Sequence, residues 1–210
     1  MKLYGYFRSS AAYRVRIALN LKGVPYDQAF VHLVRGEHRS AEWRARHPQG
    51  RVPALETDEG ETLIQSPAIL EWIEERWSRP PLLPVGDALA RARVRAVCAI
   101  VACDIHPLNN LATLGWLKER LGADQAAVDA WYAHWIAEGF AAIEQLIEPR
   151  PYAFGETPGM ADLHIVPQVF NARRFSVPLE AFPKIRAVTE ACAAHPAFAA
   201  AAPENQPDAS

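Results

Sequence analysis

The chain has 210 residues, of which 50% are hydrophobic and 22% charged, with a formal net charge of −2. That length supports one large domain or two small ones with real cores, and the near-neutral balance gives no bulk attraction to nucleic acid or to an anionic membrane. No apolar run approaches the roughly 20 residues of a membrane helix, and MKLYGYF lacks the long apolar stretch of a signal peptide, so the cytoplasm is the expected location.

Residues 1–78 alternate strand and helix signals. Lys2–Tyr6 reads as a strand. Ser10–Lys22 reads as a helix, with Val15, Ala18 and Leu19 at i, i+3, i+4 spacing and Gly23 as its stop. Tyr26–Leu33 is a second strand, and Ser40–Arg46 a short helix capped by Ser40. Val52–Glu56 and Glu61–Ile64 flank the turn signal Asp58-Glu59-Gly60 and read as a hairpin. Pro53 donates no ladder hydrogen bond, so it marks an edge, a bulge or a special turn; a cis Val52–Pro53 bond would expose the backbone of Val52 to a ligand. Ser66-Pro67 then starts a helix through Ile69, Leu70, Trp72 and Ile73, with Ser66 as the capping hydroxyl. The order is βαβαββα.

Arg79-Pro-Pro-Leu-Leu-Pro-Val-Gly86 reads as a linker. Everything after it reads helical, over 87–118, 124–148, 160–175 and 183–194, and the Trp131/Trp135 pair, one turn apart, reads as core packing. The tail Pro203–Ser210 is polar and is expected to fray. The expected domains are therefore residues 1–80, α/β, and residues 87–210, all helical. Cys98, Cys103 and Cys192 are too few and too scattered for a disulfide scaffold or a metal site and read as plain buried thiols.

Five stretches, in order along nearly the whole chain, carry a resemblance: YFRSSAAYRVRIALNLKG, RVPAL, LIQSPAILEWIEE, CDIHPLNNL and LHIVPQVFNARRF. Together they resemble the zeta-class glutathione transferases, and within them the bacterial maleylpyruvate and maleylacetoacetate isomerases. The resemblance implies a thioredoxin-like N-terminal domain, an all-helical C-terminal domain, glutathione as cofactor and a homodimer. The activity it implies is cis–trans isomerisation of a small dicarboxylate bearing a cis double bond, by thiolate addition, bond rotation and elimination, in aromatic catabolism.

Glutathione has two carboxylates, an amine and a thiol. The start of the helix near Ser9 and Ser10 offers unbonded N–H donors and the positive end of a helix dipole, which favour a thiolate. By the resemblance Ser9 matches the catalytic serine and Ser10 is its neighbour; either also suits a simple helix cap. Ala11 stands where the class commonly carries cysteine, which weakens a thiol–disulfide reading. Gln65 and Ser66 match the pair that holds the γ-glutamyl carboxylate, and Val52 would pair its backbone with the cysteinyl unit. His38 and Arg51 could reach the glycyl end, and a solvated loop histidine is the alternative for His38. Arg8 and Arg174, with Arg173 beside it, suit the substrate carboxylates, because guanidinium pairs carboxylates in bidentate fashion; surface ion pairs are the alternative. His106, Asn109 and Asn110 match positions where the first long helix of the second domain faces the cofactor, with polar contacts to glutathione or substrate expected of the asparagines and a structural part as the alternative for His106. Asp162 matches the acid of a capping box whose cap position is Gly159, and reads as structural. The rival readings are a general glutathione transferase or dehalogenase, with no need for substrate-pocket arginines, and a non-catalytic binding module on the same fold.

Overall fold

The computed structural model describes residues 1–209 and divides the chain into two compact units. The first comprises Met1–Leu82 and the C-terminal segment from Ala193 onward; the second is Leu83–Cys192.

In the first unit, strands β1 (Lys2–Gly5), β2 (Asp27–Phe30), β3 (Ala54–Glu56) and β4 (Thr62–Ile64) form one sheet in the order β2-β1-β3-β4. β1 is parallel to β2 and antiparallel to β3, and β3 is antiparallel to β4. Leu3 lies opposite Leu55, and both are buried. β2 is shorter than the Tyr26–Leu33 strand expected, because β1 offers it only four partners. The helices are α1 (Ser10–Lys22), α2 (Ala41–Arg46) and α3 (Ser66–Arg76), preceded in one loop by a 3₁₀ turn at Glu37–Arg39. The βαβαββα order is the thioredoxin-like one. The Val52–Pro53 bond is cis.

Local chemistry sets each helix boundary. Ser9 caps α1 by accepting the Ala12 N–H at 3.2 Å, and Gly23 ends it in the left-handed region at φ 64°. Ser40 caps α2 through the Trp43 N–H. At α3 the reading of Ser66 as the cap is corrected. Ser66 is already helical and buried, and Gln65 occupies the cap position at φ 68° without a side-chain cap bond.

α1 packs against α3 and against α9 (Pro196–Ala201), so it is buried almost all round. The C-terminal segment thus belongs to the first unit rather than to the helical domain. Its described residues are also docked, with Ser210 of the tail expected to fray lying outside them: Pro203–Asn205 forms a 3₁₀ turn, and the buried Gln206 donates to Ala200 O and Ala202 O, each at 2.9 Å. Two polar ties join α1 to α3. Arg14 Nη1 donates to Ser66 Oγ at 3.3 Å, and Lys22 Nζ reaches Glu74 Oε2 at 2.6 Å, all four residues being buried. Lys22 also donates to Pro80 O, while Glu74 accepts the Leu82 N–H.

In the second unit, α4 (Ala88–Ala99) continues into a π-helical run, Ile100–Ile105. α5 (Leu111–Leu121), α6 (Gln125–Leu146), α7 (Met160–Arg174) and α8 (Pro183–Ala193) follow. The single helix expected over 87–118 is broken at Ile105. The π-run loosens the backbone, Pro107 has no N–H to donate, and Asn110 caps α5 by accepting the Ala112 and Thr113 N–H groups. Ile105 packs so closely on α6 that a Cβ at Gly139 would lie 2.3 Å from its Cδ1, which is why residue 139 is glycine. The core of the unit gathers Val97, Val101, Ile136, Phe140, Leu163, Val169 and Ile185. Cys98 and Cys192 are buried as expected, but Cys103, on the π-run, is exposed. Trp131 and Trp135 make an edge contact at 5.6 Å and are half-buried, so they border the core rather than fill it. Among the described residues no helix is long and apolar enough to cross a membrane.

Asp162 is 1% exposed and accepts the Gly159 N–H at 2.7 Å and the Ala153 N–H at 2.9 Å. Burial pushes its carboxyl up to about 6 despite those bonds. The folded chain therefore binds this proton more tightly than the unfolded one. The associated stability is full below the ordinary carboxylate value and is lost as the pH rises through about 6.

Two stability measurements follow from these buried charges. Lys22→Met leaves Glu74 buried without its cation and is expected to cost about 3 kcal/mol in urea unfolding. Asp162→Asn removes one of two acceptor oxygens and is expected to cost about 2 kcal/mol. Unfolding at a series of pH values should show the advantage of the wild type over Asp162→Asn narrowing from mildly acidic to neutral pH.

Candidate functional site

The two ties between α1 and α3 have the same sequence separation, 52 residues, and join start to start and end to end. The helices therefore run parallel and in register, with both N-termini at one side of the unit. Neither has an acidic residue of its own in its first turn, so two positive dipole ends stand together.

Ser9 lies at one of these ends and is half-buried. Its oxygen accepts from Ala12, which leaves the hydroxyl proton to donate elsewhere. The cap and the thiolate-binding readings are therefore compatible in one residue. Ser10 differs: at 3% exposure it is enclosed as the first helical residue.

At the other end, Gln65 is exposed and holds a left-handed backbone uncommon for a residue with a side chain. Its amide donates to Gln49 Oε1 in a short hydrogen bond, bringing the Gln49–Val52 loop to the start of α3. Ser66 Oγ accepts from Arg14, so what Ser66 offers a ligand is its hydroxyl proton and its place at the helix start.

The Gln49–Val52 loop is anchored on its other side. Trp43 Nε1 donates to Arg51 O at 3.0 Å. Gly50, at φ 58°, sits so close to His38 that a Cβ there would lie 2.7 Å from His38 O. His38 and Arg51 are thus brought to the same loop cluster. Desolvation, then Arg39 and Arg44, lower the His38 pKa, so near neutral pH it is an uncharged hydrogen-bonding group. Among the described residues neither backbone group of Val52 has a hydrogen-bond partner, which leaves a strand-like edge for an extended peptide. Arg8, Ser9, His38, Arg51, Val52, Gln65 and Ser66 all belong to the first unit.

Arg8 is exposed, directly before the Ser9 cap, with its guanidinium 4.8 Å from the Phe7 ring centroid. A cation at that position is electrostatically disfavoured unless an anion joins it. Arg174, in the second unit, is exposed at the end of α7, 5.9 Å from the Phe170 ring and 5.6 Å from the Phe175 ring. Arg46 and Arg76 are also set over rings, but they pair with Glu56 and Glu59. Among the described residues Arg8 and Arg174 have no carboxylate partner. Arg173 is exposed beside Arg174.

The other second-unit candidates lie in the break after Ile105. His106 is half-buried there. Asn109 and Asn110, expected to touch ligand, make contacts that hold their own loop. Asn109 Nδ2 donates to Tyr132 O at 3.1 Å, and Asn110 caps α5 while donating to Pro107 O at 2.7 Å. Both amides hold the loop itself, and only Asn109 Oδ1, buried, lacks a partner. Sequence reasoning missed Tyr132, whose ring stacks on Phe175 at 3.7 Å and 14°, between this loop and Arg174. It missed Gln49 and Trp43 as well; an indole needing an acceptor was the signal for Trp43.

The donor set fits glutathione. There are two helix starts for anions, a serine proton for sulfur, an open backbone edge, and histidine and arginine on the adjoining loop. The family described as glutathione S-transferase, N-terminal domain, matches residues 1–75. A maleylacetoacetate isomerase of Pseudomonas aeruginosa is 54% identical over 210 residues, covering 99% of this chain and 98% of that protein. The chain belongs to the zeta-class glutathione transferase family. A holo structure of a bacterial zeta-class maleylpyruvate isomerase superposes with a TM-score of 0.96 at 52% identity, covering 100% of both chains. A maleylacetoacetate isomerase structure from Methylobacterium extorquens AM1 with bound malonate and glutathione gives 0.95 at 35% identity, again over 100% of both. Within this zeta-class fold, the left-handed backbone at Gln65 separates stability from binding. Gln65→Gly should leave thermal stability within about 1 kcal/mol of the wild type. It should weaken glutathione binding about tenfold in calorimetry, through loss of the amide and of the Gln49 contact.

Proposed function

We propose that the protein is a glutathione-dependent cis–trans isomerase that converts maleylpyruvate to fumarylpyruvate, or maleylacetoacetate to fumarylacetoacetate. The observation that carries this is the joined positive pole of α1 and α3, with the Ser9 hydroxyl proton available beside it and Arg8 adjacent.

Glutathione, when bound, supplies a thiolate that adds to the cis double bond and departs after rotation. The residues of this chain hold the reacting groups in place. The first turn of α1 and the Ser9 O–H favour the ionised sulfur over the thiol, which lowers the cost of forming the nucleophile at neutral pH. Gln65 and the start of α3 take the γ-glutamyl carboxylate, Val52 pairs its backbone with the cysteinyl unit, and His38 and Arg51 serve the glycyl end. Arg8 takes a substrate carboxylate and stabilises negative charge developing on the carbonyl oxygen, which favours the transition state over the ground state, and Arg174 is the second unit's candidate for a carboxylate. Malonate, a small dicarboxylate, is held with glutathione in the Methylobacterium relative, in keeping with that substrate class. On this reading the protein works in the cytoplasm, as a homodimer, in the breakdown of aromatic compounds. The arginines that sit on rings without a carboxylate favour the isomerase over a general transferase.

The deciding assay follows maleylpyruvate absorbance with purified protein, with and without glutathione. The expected result is turnover that requires glutathione in catalytic amount and consumes none, with Ser9→Ala slower by about a hundredfold. No turnover, with glutathione consumed only when a haloalkane or nitroarene is supplied, would instead establish the general transferase.

A further inference from the structure

The C-terminal Gln206-Pro207-Asp208, which reads as part of a fraying tail, reaches the turn that carries Arg8 and Ser9. That turn runs Tyr6-Phe7-Arg8-Ser9 and is closed by the Ser9 N–H donating to Tyr6 O at 2.9 Å. Its corner residue, Phe7, is held on both backbone groups by residues distant from it in sequence or in α1. The Phe7 N–H donates to Asp208 Oδ2 at 3.0 Å, and Phe7 O accepts from Arg16 Nη2 at 3.1 Å.

Both holders are themselves fixed. Arg16 is 2% exposed and its Nε donates to Ala201 O at 2.9 Å. Asn20 donates to Ala197 O at 3.0 Å, so two carbonyls of α9 are tied to α1. Gln206, two residues before Asp208, is buried, bonded to Ala200 and Ala202, and accepts from Gln28 at 3.3 Å. The segment carrying Asp208 is therefore docked by buried bonds, and its carboxylate is delivered to one main-chain N–H. That N–H lies one residue before Arg8 and two before Ser9.

We infer that Asp208 is a positioning residue for the reaction: with Arg16 it fixes the main chain of Phe7, and thereby the turn that presents Arg8 and the Ser9 hydroxyl. The inference rests on the part given to Ser9 above. Its physical basis is that a donor must sit within a few tenths of an ångström of the developing charge, and a turn with free backbone groups at its corner does not hold that tolerance.

The test compares wild type, Asp208→Ala, Asp208→Asn and Ser9→Ala. Asparagine keeps one acceptor oxygen for Phe7 and alanine keeps none. Three quantities are read: amide hydrogen exchange at Phe7, the pKa of the bound glutathione thiol from its thiolate absorbance, and kcat and KM for maleylpyruvate. Urea unfolding separates any loss of folded protein. The expected result for Asp208→Ala is faster exchange at Phe7, a raised thiol pKa and kcat lower by about tenfold, with KM for substrate changed less. Asp208→Asn should restore most of each. A merely stabilising role would lower the folded fraction and leave the bound thiol pKa unmoved. The inference is overturned if Phe7 exchange is unchanged in Asp208→Ala. It is equally overturned if exchange rises while the thiol pKa stays at its wild-type value and kcat stays within twofold. A Ser9→Ala variant with wild-type thiol pKa removes the Ser9 reading itself, and the inference with it; a shifted Ser9→Ala beside an unshifted Asp208→Ala removes the inference alone.

Discussion

The first unit is organised by two helices forced to lie parallel. Parallel helices set their dipoles side by side, an arrangement that is mildly repulsive and that antiparallel neighbours avoid. Here the repulsion is offset by buried polar ties, Arg14 to Ser66 at one end and Lys22 to Glu74 at the other. The geometry follows from the connectivity: β3 is antiparallel to both β1 and β4, so β4 runs with β1 and the helices that leave these two strands, α1 and α3, run the same way. The paired field is what makes the site useful. Two helix starts with no acidic residue in either first turn form a pole that an anion neutralises and a neutral ligand does not.

That pole explains features which would be faults in a purely structural domain. Arg8 adds a positive charge where the α1 dipole already supplies one. Gln65 holds a left-handed backbone where glycine would be relaxed. Val52 leaves both backbone groups unbonded beside a well-formed hairpin. Each costs the empty protein something, and each is a feature that an extended, doubly charged peptide bearing a thiol would satisfy. Placed around two helix ends, they describe one ligand rather than three unrelated local defects.

Much of this frame was legible in the sequence because it rests on local rules. Ser9 and Gly23 bracket α1 through a hydroxyl cap and a left-handed stop, and both act within four residues of their own position. The hairpin at Asp58-Glu59-Gly60 and the break at Arg79–Gly86 are local in the same way. The misreadings came where a distant partner decides. Ser66 looks like a cap because Ser-Pro is a common helix start, but Arg14, 52 residues away, holds its hydroxyl. The polar tail looks frayed, yet Gln206 is tied to Ala200, Ala202 and Gln28, and Asp208 accepts the Phe7 N–H. Arg14 and Arg16, two buried arginines on one helix, give no periodic signal, because α1 is enclosed by α3 on one side and α9 on another. The contacts of Asn109 with Tyr132 and of Asn110 with the α5 start are likewise set by the fold and not by motif position.

Arg8 in the first unit and Arg174 in the second are the arginines proposed for carboxylates, and each is held differently from its neighbours. An arginine paired with a carboxylate is already neutralised, and a substrate must displace that partner before binding. An arginine laid on a phenyl face is oriented by a weaker attraction that leaves its five donors and full charge exposed. Arg46 and Arg76 show the first arrangement and Arg8 and Arg174 the second. In the second unit this orientation is further supported, since Phe175 is stacked on the buried Tyr132, whose carbonyl also holds the Asn109 loop. The ring beneath Arg174 is therefore fixed by packing rather than by charge. A cation held this way gains most from a ligand that brings its own carboxylate, which is the chemical class the isomerase reading requires.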